Sequence, residues 1–370
     1  MVTGFGGIYR GKRVLVTGHT GFKGGWLSLW LRELGATVHG YSLAPHPEPT
    51  LFSILPAGTF EGSTLEDLRT PGALTKAIAD CQPEIIFHLA AQPIVGISYR
   101  EPLDTFTTNA LGTAMLLEAV RTAKCPAAVL VVTSDKCYRN DNSGRPFRES
   151  DPLGGQDVYS MSKAATELVV ASWHASFFAV EKSLGPLATA RAGNVIGGGD
   201  YAEDRIVPDA VRAFGRGQPI TLRRPQATRP WQHVLESASG YLALGSRLLA
   251  GADRGTLINC NFGPASESER TVRELIDTFL AEWPGAFKLE IAKEQAYGEA
   301  ARLSLDVSFA KRLLGWQPAW NFEETVAQTA RWYRERHEKK AGAAAMLAFT
   351  REQIASYTSR AASLGIPWAK

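Results

Sequence analysis

Tyr159 and Lys163 stand four residues apart in VYSMSKAATE, a spacing that puts both on one face of a helix. An ammonium beside a phenol favours the phenolate, so the pair is suited to taking a proton from a hydroxyl. Such a match also recurs by chance on solvated helix faces, and its company here gives it weight. Upstream, the apolar run Ala128–Val132 ends in Thr133, Ser134, Asp135 and Lys136, so that two hydroxyls, a carboxylate and an ammonium follow one another. Near the start, TGHTGFKGG places Gly18, Gly21 and Gly24 three apart. Glycines at that spacing permit a tight turn and a close backbone approach to a pyrophosphate, and a helix N-terminus behind them supplies N–H donors.

These groups need elements to hold them. RVLVTG (13–18) reads as a buried strand, and the following residues to Leu34 carry apolar side chains at helical period. TVHGYSL (37–43), EIIFHLAA (84–91), AAVLVVTS and LATARAGNVIG (187–197) read as further strands, with helices over Pro102 to about Ala123 and Val158 to Phe178. Strands apolar on both faces, alternating with helices, predict an α/β fold: a Rossmann-like, doubly wound parallel sheet. The glycine loop then sits between the first strand and its helix, the context a dinucleotide site requires. After Gly197 the prolines and the loop arginines Arg205, Arg223, Arg224 and Arg229 mark a change. Residues 1–197 are read as the dinucleotide-binding domain, 198–340 as a smaller, interleaved substrate-binding region, and 341–370 as a helical appendage. That tail is free to dock on its own domain or on a second subunit.

Composition excludes several classes. With 45% hydrophobic and 21% charged residues and a net charge of +3, the chain reads as an ordinary globular protein without a nucleic-acid or membrane surface. No apolar run reaches membrane-span length, and MVTGFGGIYRGKR lacks a signal-peptide core, so a cytoplasmic protein is expected. Cys81, Cys125, Cys137 and Cys260 are far apart, which predicts reduced thiols and no metal. The cofactor's ribose end is less legible. The second strand ends in Tyr41, Ser42 and Leu43, with no acidic residue for an adenosine ribose and no arginine for a 2′-phosphate. Lys23 inside the loop is a candidate for that phosphate, so NAD and NADP both stay open.

Taken together, TGxxGxxG, HLAAQ (88–92), Asn109 in TTNALGT, TSDK, YxxxK and RAGNVIGGGD resemble the extended short-chain dehydrogenase/reductase family to about residue 335. TSDKCY, DPLGGQDVYSMSKAATE, GNVIGGGDYAEDRIVPD and RPWQHVLE are most similar to its nucleotide-sugar dehydratases. The resemblance implies a bound nicotinamide cofactor, a CDP-hexose substrate and a homodimer. It places Gly18, Thr20, Gly21, Phe22, Lys23, Gly24, Leu89, Ala90, Ala91, Asn109 and Thr133 at the cofactor, with Tyr159 and Lys163. Tyr159 would take the proton of the hydroxyl on sugar carbon 4, with Ser134 sharing it and Lys163 keeping the phenol acidic. Asp135 would protonate the hydroxyl leaving carbon 6 if a dry site raises its pKa. Lys136 would be the base at carbon 5 if burial lowers its own. Many relatives carry Asp-Glu where this chain has Asp-Lys, and a Lys136 that stays charged to stabilise the enolate is the competing role. Gln92, Ser98, Asn194, Arg205, Arg229 and Arg302 are expected at the substrate, guanidinium groups being suited to a diphosphate. His88 and His233 read as core residues, and Trp231 as packing or base stacking. A 4-epimerase would share the Tyr/Lys pair without needing Asp135 and Lys136, and a non-catalytic dinucleotide binder would need none of them.

Overall fold

Every residue of the run Ala128–Val132 is buried, because strands flank it on both sides and each face of the sheet carries its own core. The computed structural model describes residues 4–45, 49–141, 143–251, 253–283, 288–292 and 303–370. Its strands are β1 Arg13–Thr17, β2 Thr37–Ser42, β3 Ser63–Leu65, β4 Ile85–His88, β5 Ala128–Val132, β6 Leu187–Ala192, β7 Val195–Ile196, β8 Ile220–Leu222, β9 Thr228–Pro230, β10 Gln232–His233, β11 Ile258–Phe262, β12 Glu269–Thr271 and β13 Leu289–Ile291. A parallel sheet takes seven of them in the order β11-β6-β5-β4-β1-β2-β3. Successive side chains of a strand point to opposite faces. Val14, Val16 and Leu130 therefore join one core with Trp26 and Trp30, while Leu15, Val129 and Val131 join the other with Leu116 and Leu117.

The chain winds outward from β1 through β2 and β3, then returns to lay β4 on the other side of β1. The strand order reverses there, and ligands of such sheets bind beyond the carboxyl ends of the strands at that point. The sheet draws on residues past 197: one of its edge strands is β11, and the buried helix Val234–Leu249 lies against β5 and β6. Three two-stranded pairs stand apart from this sheet, β7 with β10, β9 with β12 and β8 with β13.

Two helices depart from the unbroken runs the sequence suggests. Pro102–Phe106 passes into Gly112–Thr122 through a π turn, Thr107–Leu111, that contains Asn109, and Val158–Trp173 is prolonged by a second π turn, His174–Phe178. A π turn accommodates one extra residue and re-aims the side chains around it, which apolar periodicity cannot reveal. The C-terminal helix Ala343–Ser363 docks on its own chain. Ile354 and Tyr357 are buried there, and Trp368 stacks on Phe5 with ring centres 4.8 Å apart. Burying each such aromatic contributes about 1.5–3 kcal/mol, enough to fasten the tail. No helix among the described residues is long and apolar enough to cross a membrane.

Candidate active site

A cavity of about 950 Å³ opens at the carboxyl ends of β1, β4, β5 and β6. The glycine loop forms one wall. Gly18 has φ +78°, and a Cβ on it would come within 2.7 Å of Ala90 N; a Cβ on Gly24 would come within 2.1 Å of the Gly18 carbonyl. Neither position admits a side chain, so loop, helix Phe22–Glu33 and the β4 exit pack backbone to backbone. The cradle this leaves, with the first-turn N–H groups of that helix, fits a dinucleotide pyrophosphate. At the end of β2 the Thr20 hydroxyl meets Ser42 Oγ at 2.7 Å and donates to the Leu43 carbonyl. The His19 ring lies against Gly40, bonds Ser63 Oγ, and is held neutral because burial lowers its pKa to about 4. Arg69, nearby through Asp67, pairs with Asp67 at 2.7 Å and Asp104 at 2.5 Å. Lys23 does not serve this end, contrary to its reading as a 2′-phosphate partner. Burial lowers its pKa to about 7, and the charges that act on it are those of Arg205 and Lys163, which add to this, and of Asp135 and Asp200, which oppose it.

The opposite wall carries the residues that the sequence reading picks out for proton transfer. Ser134 caps a short 3-10 turn, Asp135–Cys137, its Oγ accepting from Lys136 N at 3.2 Å and donating to Asp135 Oδ1 at 2.9 Å. Asp135 is buried, and its Oδ2 has no hydrogen-bond partner among the described residues. Burial holds its carboxyl above the usual range, although Lys136, Ser134, Lys23 and Arg229 each pull it down. Helix Val158–Trp173, capped by Asp157 on Ser160 N, presents Tyr159 and Lys163 to the same cavity. The sequence-based expectation that Lys163 acidifies Tyr159 is not met by the protein's own groups. Burial pushes the phenol up to about 12 and Asp135 adds to this, while Ser134 and Arg205 pull it down. Lys163 is itself lowered to about 8 by burial. Lys136 lines the cavity half-buried, short of the full burial its role as base anticipated.

The remaining sequence-picked residues divide. Phe22, Leu89, Ala90, Ala91, Gln92, Thr133, Asn194, Arg205 and Arg229 line the cavity. Arg205 pairs with Asp200 at 2.8 Å, and Arg223, read from the sequence only as a loop arginine, pairs with Asp204 at 2.8 Å. Gln92 faces inward but is committed to the Ile94 backbone and Thr105. Two expectations are corrected. Ser98 is fully buried with its hydroxyl turned onto the Val95 carbonyl, and Asn109 lies behind the wall. From its π turn Asn109 accepts from Gln92 N and donates to Gln92 O and Ser162 Oγ, so it braces the β4 exit against helix Val158–Trp173. Arg302 lies outside the described residues. His88, between Thr17 and Thr113, and His233, capping helix Val234–Leu249, are core residues as read from the sequence. Trp231 lines the cavity but is anchored by its Nε1 on the Arg270 carbonyl. Among the described residues no group of histidine, cysteine and carboxylate side chains is placed to hold a metal.

Comparison with known proteins places this arrangement. The family model described as GDP-mannose 4,6 dehydratase matches residues 15–329. CDP-glucose 4,6-dehydratase of Salmonella typhimurium is 44% identical over 330 residues, covering 88% of this chain and 92% of that protein. A dTDP-glucose 4,6-dehydratase of Xanthomonas campestris pv. campestris is 26% identical over 342 residues, 86% of this chain and 92% of its own. Among solved structures, dTDP-glucose 4,6-dehydratase from Bacillus anthracis in complex with NAD shares the fold with a TM-score of 0.72 at 20% identity, covering 88% of this chain and 97% of that one. UDP-glucose-4-epimerase from Stenotrophomonas maltophila with bound NAD shares it with a TM-score of 0.75 at 22% identity, covering 89% and 100%.

Proposed function

Since the chain belongs to the GDP-mannose 4,6-dehydratase family, the nucleotide-sugar dehydratases among the extended short-chain dehydrogenase/reductases, we infer that it converts CDP-glucose to CDP-4-dehydro-6-deoxyglucose and water. One observation carries the dehydratase chemistry: a buried carboxyl, Asp135, is held towards its protonated form with one oxygen uncommitted, in the cavity that also holds Tyr159. A 4-epimerase has no use for such an acid. The choice of CDP-glucose rests on the Salmonella relative's identity over nearly the whole chain.

The cofactor is NAD. The glycine cradle fits its pyrophosphate, and at the end of β2 Arg69 is already saturated by two carboxylates, leaving it ill-suited to a 2′-phosphate. Gly18, Gly21 and Gly24 would hold NAD, which when bound would supply the hydride acceptor for carbon 4 and the hydride donor for carbon 6, with a positive ring charge that would favour the Tyr159 phenolate. Tyr159 takes the proton from the carbon 4 hydroxyl, with Ser134 as the partner that shares it. Asp135 gives its proton to the hydroxyl leaving carbon 6. Lys136 takes the proton from carbon 5, which the carbon 4 carbonyl has made acidic. A second reading, Lys136 as a fixed cation, is favoured by its half-exposure and by its pull on Asp135. Asn194, Arg205 and Arg229 face the substrate, with Arg302 as a further candidate.

Leu103, Phe106, Leu111, Met161 and Leu168 are exposed on two adjoining helical runs, Leu103 by 79%, which supports burial against a second copy of the chain. Four unpaired cysteines support a reducing, cytoplasmic setting. The test of function is incubation with CDP-, dTDP-, UDP- and GDP-glucose and NAD, scoring the 4-keto product. Turnover of CDP-glucose ahead of the others is expected; no keto product from any of them would sink the assignment.

A further inference from the structure

The catalytic turn is gripped at both ends by the two halves of one buried ion pair. Glu167 lies two helical turns beyond Tyr159 and one beyond Lys163, on the same face of their helix. Arg191 stands on β6. The side chains of both are only 2% exposed, and Arg191 meets Glu167 through two parallel hydrogen bonds, Nε to Oε1 at 2.9 Å and Nη2 to Oε2 at 2.8 Å. Upstream of the turn, Thr133 donates its hydroxyl to Glu167 Oε1. Downstream of it, the Tyr138 hydroxyl accepts from Arg191 Nη1 at 2.7 Å, and the Arg191 guanidinium lies 5.0 Å from the Tyr138 ring centre. Ser134, Asp135 and Lys136 lie between these two anchors.

The network continues toward the substrate region. Tyr138 donates to Asn261 Oδ1 at 2.7 Å, and Asn261 Nδ2 donates to the Phe147 and Asp306 carbonyls at 3.0 and 3.3 Å. Arg191 also donates to the Glu149 carbonyl at 3.2 Å. Thr189 fills a remaining acceptor site of Glu167 at 2.9 Å. Bidentate guanidinium–carboxylate geometry is stiff, and it fixes the relative placement of whatever is attached to each partner. Stability alone gives little reason for it, since apolar residues of similar volume often replace a buried ion pair without loss.

We infer that Glu167, Arg191 and Tyr138 are positioning residues that hold the Asp135–Lys136 turn in register with the Tyr159 and Lys163 helix. The groups for oxidation and for elimination thereby meet one sugar without rearrangement between steps. The inference rests on the dehydratase reading. Its test uses the full-length enzyme with NAD and CDP-glucose, and two variants. Tyr138→Phe keeps the ring and its stack on Phe147 but removes the hydroxyl that ties the turn to Arg191. Glu167→Leu with Arg191→Met replaces the pair by apolar volume.

Each is expected to lower kcat about 10-fold with KM for CDP-glucose nearly unchanged, as a displacement of about half an ångström in the reacting groups would. Each is also expected to accumulate reduced cofactor, because the turn bearing the elimination groups is released while Tyr159 and Lys163 stay on their helix. A merely structural role would lower melting temperature or yield and leave kcat per folded site and the reduced-cofactor signal at wild-type levels. That outcome in Tyr138→Phe overturns the inference even if the double variant does not fold. A wild-type enzyme that oxidises no nucleotide sugar would instead refute the functional reading beneath it.

Discussion

Gly193, just past β6, offers a way to move Asp135 without changing its chemistry. A methyl group at Gly193 would stand 3.0 Å from Asp135 Oδ2 and 3.5 Å from both Asp135 Cγ and Pro230 Cγ. Gly193 does not have a positive φ, so alanine meets no backbone strain there. Carbon and oxygen at 3.0 Å are a few tenths of an ångström too close, and Pro230 blocks retreat of the methyl, so the carboxyl must yield. With about 100-fold lost per ångström of misplacement, a shift near half an ångström costs Gly193→Ala about 10-fold in water loss. Asp135→Asn, which removes the proton donor, is expected to lose about 100- to 10,000-fold. Rapid mixing of enzyme, NAD and CDP-glucose, following reduced nicotinamide and keto sugar together, reads the two steps apart. Oxidation in Gly193→Ala should stay near wild type while reduced cofactor builds up behind the slowed elimination. Melting should move by no more than about 1 kcal/mol equivalent, the methyl being small and the site open. Equal slowing of oxidation and elimination, or no slowing of either, would refute the role given to Asp135.

Burial raises the Asp135 pKa in the folded protein, so the stability tied to its protonated form is present at low pH and lost as pH rises through that raised value. Asp135→Asn should therefore lose less melting temperature than wild type as pH rises above the ordinary aspartate value, and wild-type elimination should slow over the same range; parallel melting curves would contradict this. If Lys136 is the base, Lys136→Met blocks exchange of the carbon 5 hydrogen with solvent and Lys136→Arg does not restore it; restoration by arginine would mark a fixed cation. Glu236, buried and raised to about 7, accepts from the Ala319 and Trp320 amides and the Tyr357 hydroxyl, which fastens the C-terminal helix. Its contribution is present below the ordinary glutamate value and lost as pH rises through about 7, so Glu236→Gln should flatten the melting profile between about 4.5 and 7; an unchanged profile would exclude Glu236 as the titrating group. Leu103→Glu together with Leu168→Glu should shift the chain to a smaller species in sedimentation, and an unaltered species would place the interface elsewhere.

The sheet, the glycine loop and the Tyr159/Lys163 face were legible because each follows from a local period or a fixed spacing. The residues in and behind the cavity wall that sequence left without a role are those set by distant pairing. Arg223 faces Asp204, and Arg191 meets Glu167 only because β6 lies beside β5 and under the catalytic helix. Glu167 carried a usable signal, since it continues the Tyr159, Lys163 spacing by four. Asn109 and Ser98 were misplaced because a π turn and a hydroxyl folded back on its own helix leave no trace in residue type. The Tyr159 pKa failed for an energetic reason: spacing reports a neighbouring ammonium but not the burial that outweighs it.

The most direct test of the central claim uses CDP-glucose deuterated at carbon 4. The expected product is CDP-4-dehydro-6-deoxyglucose carrying that deuterium on carbon 6 and a solvent hydrogen on carbon 5. Deuterium that returns to carbon 4 in an epimerised sugar, or that is lost to solvent, would contradict it.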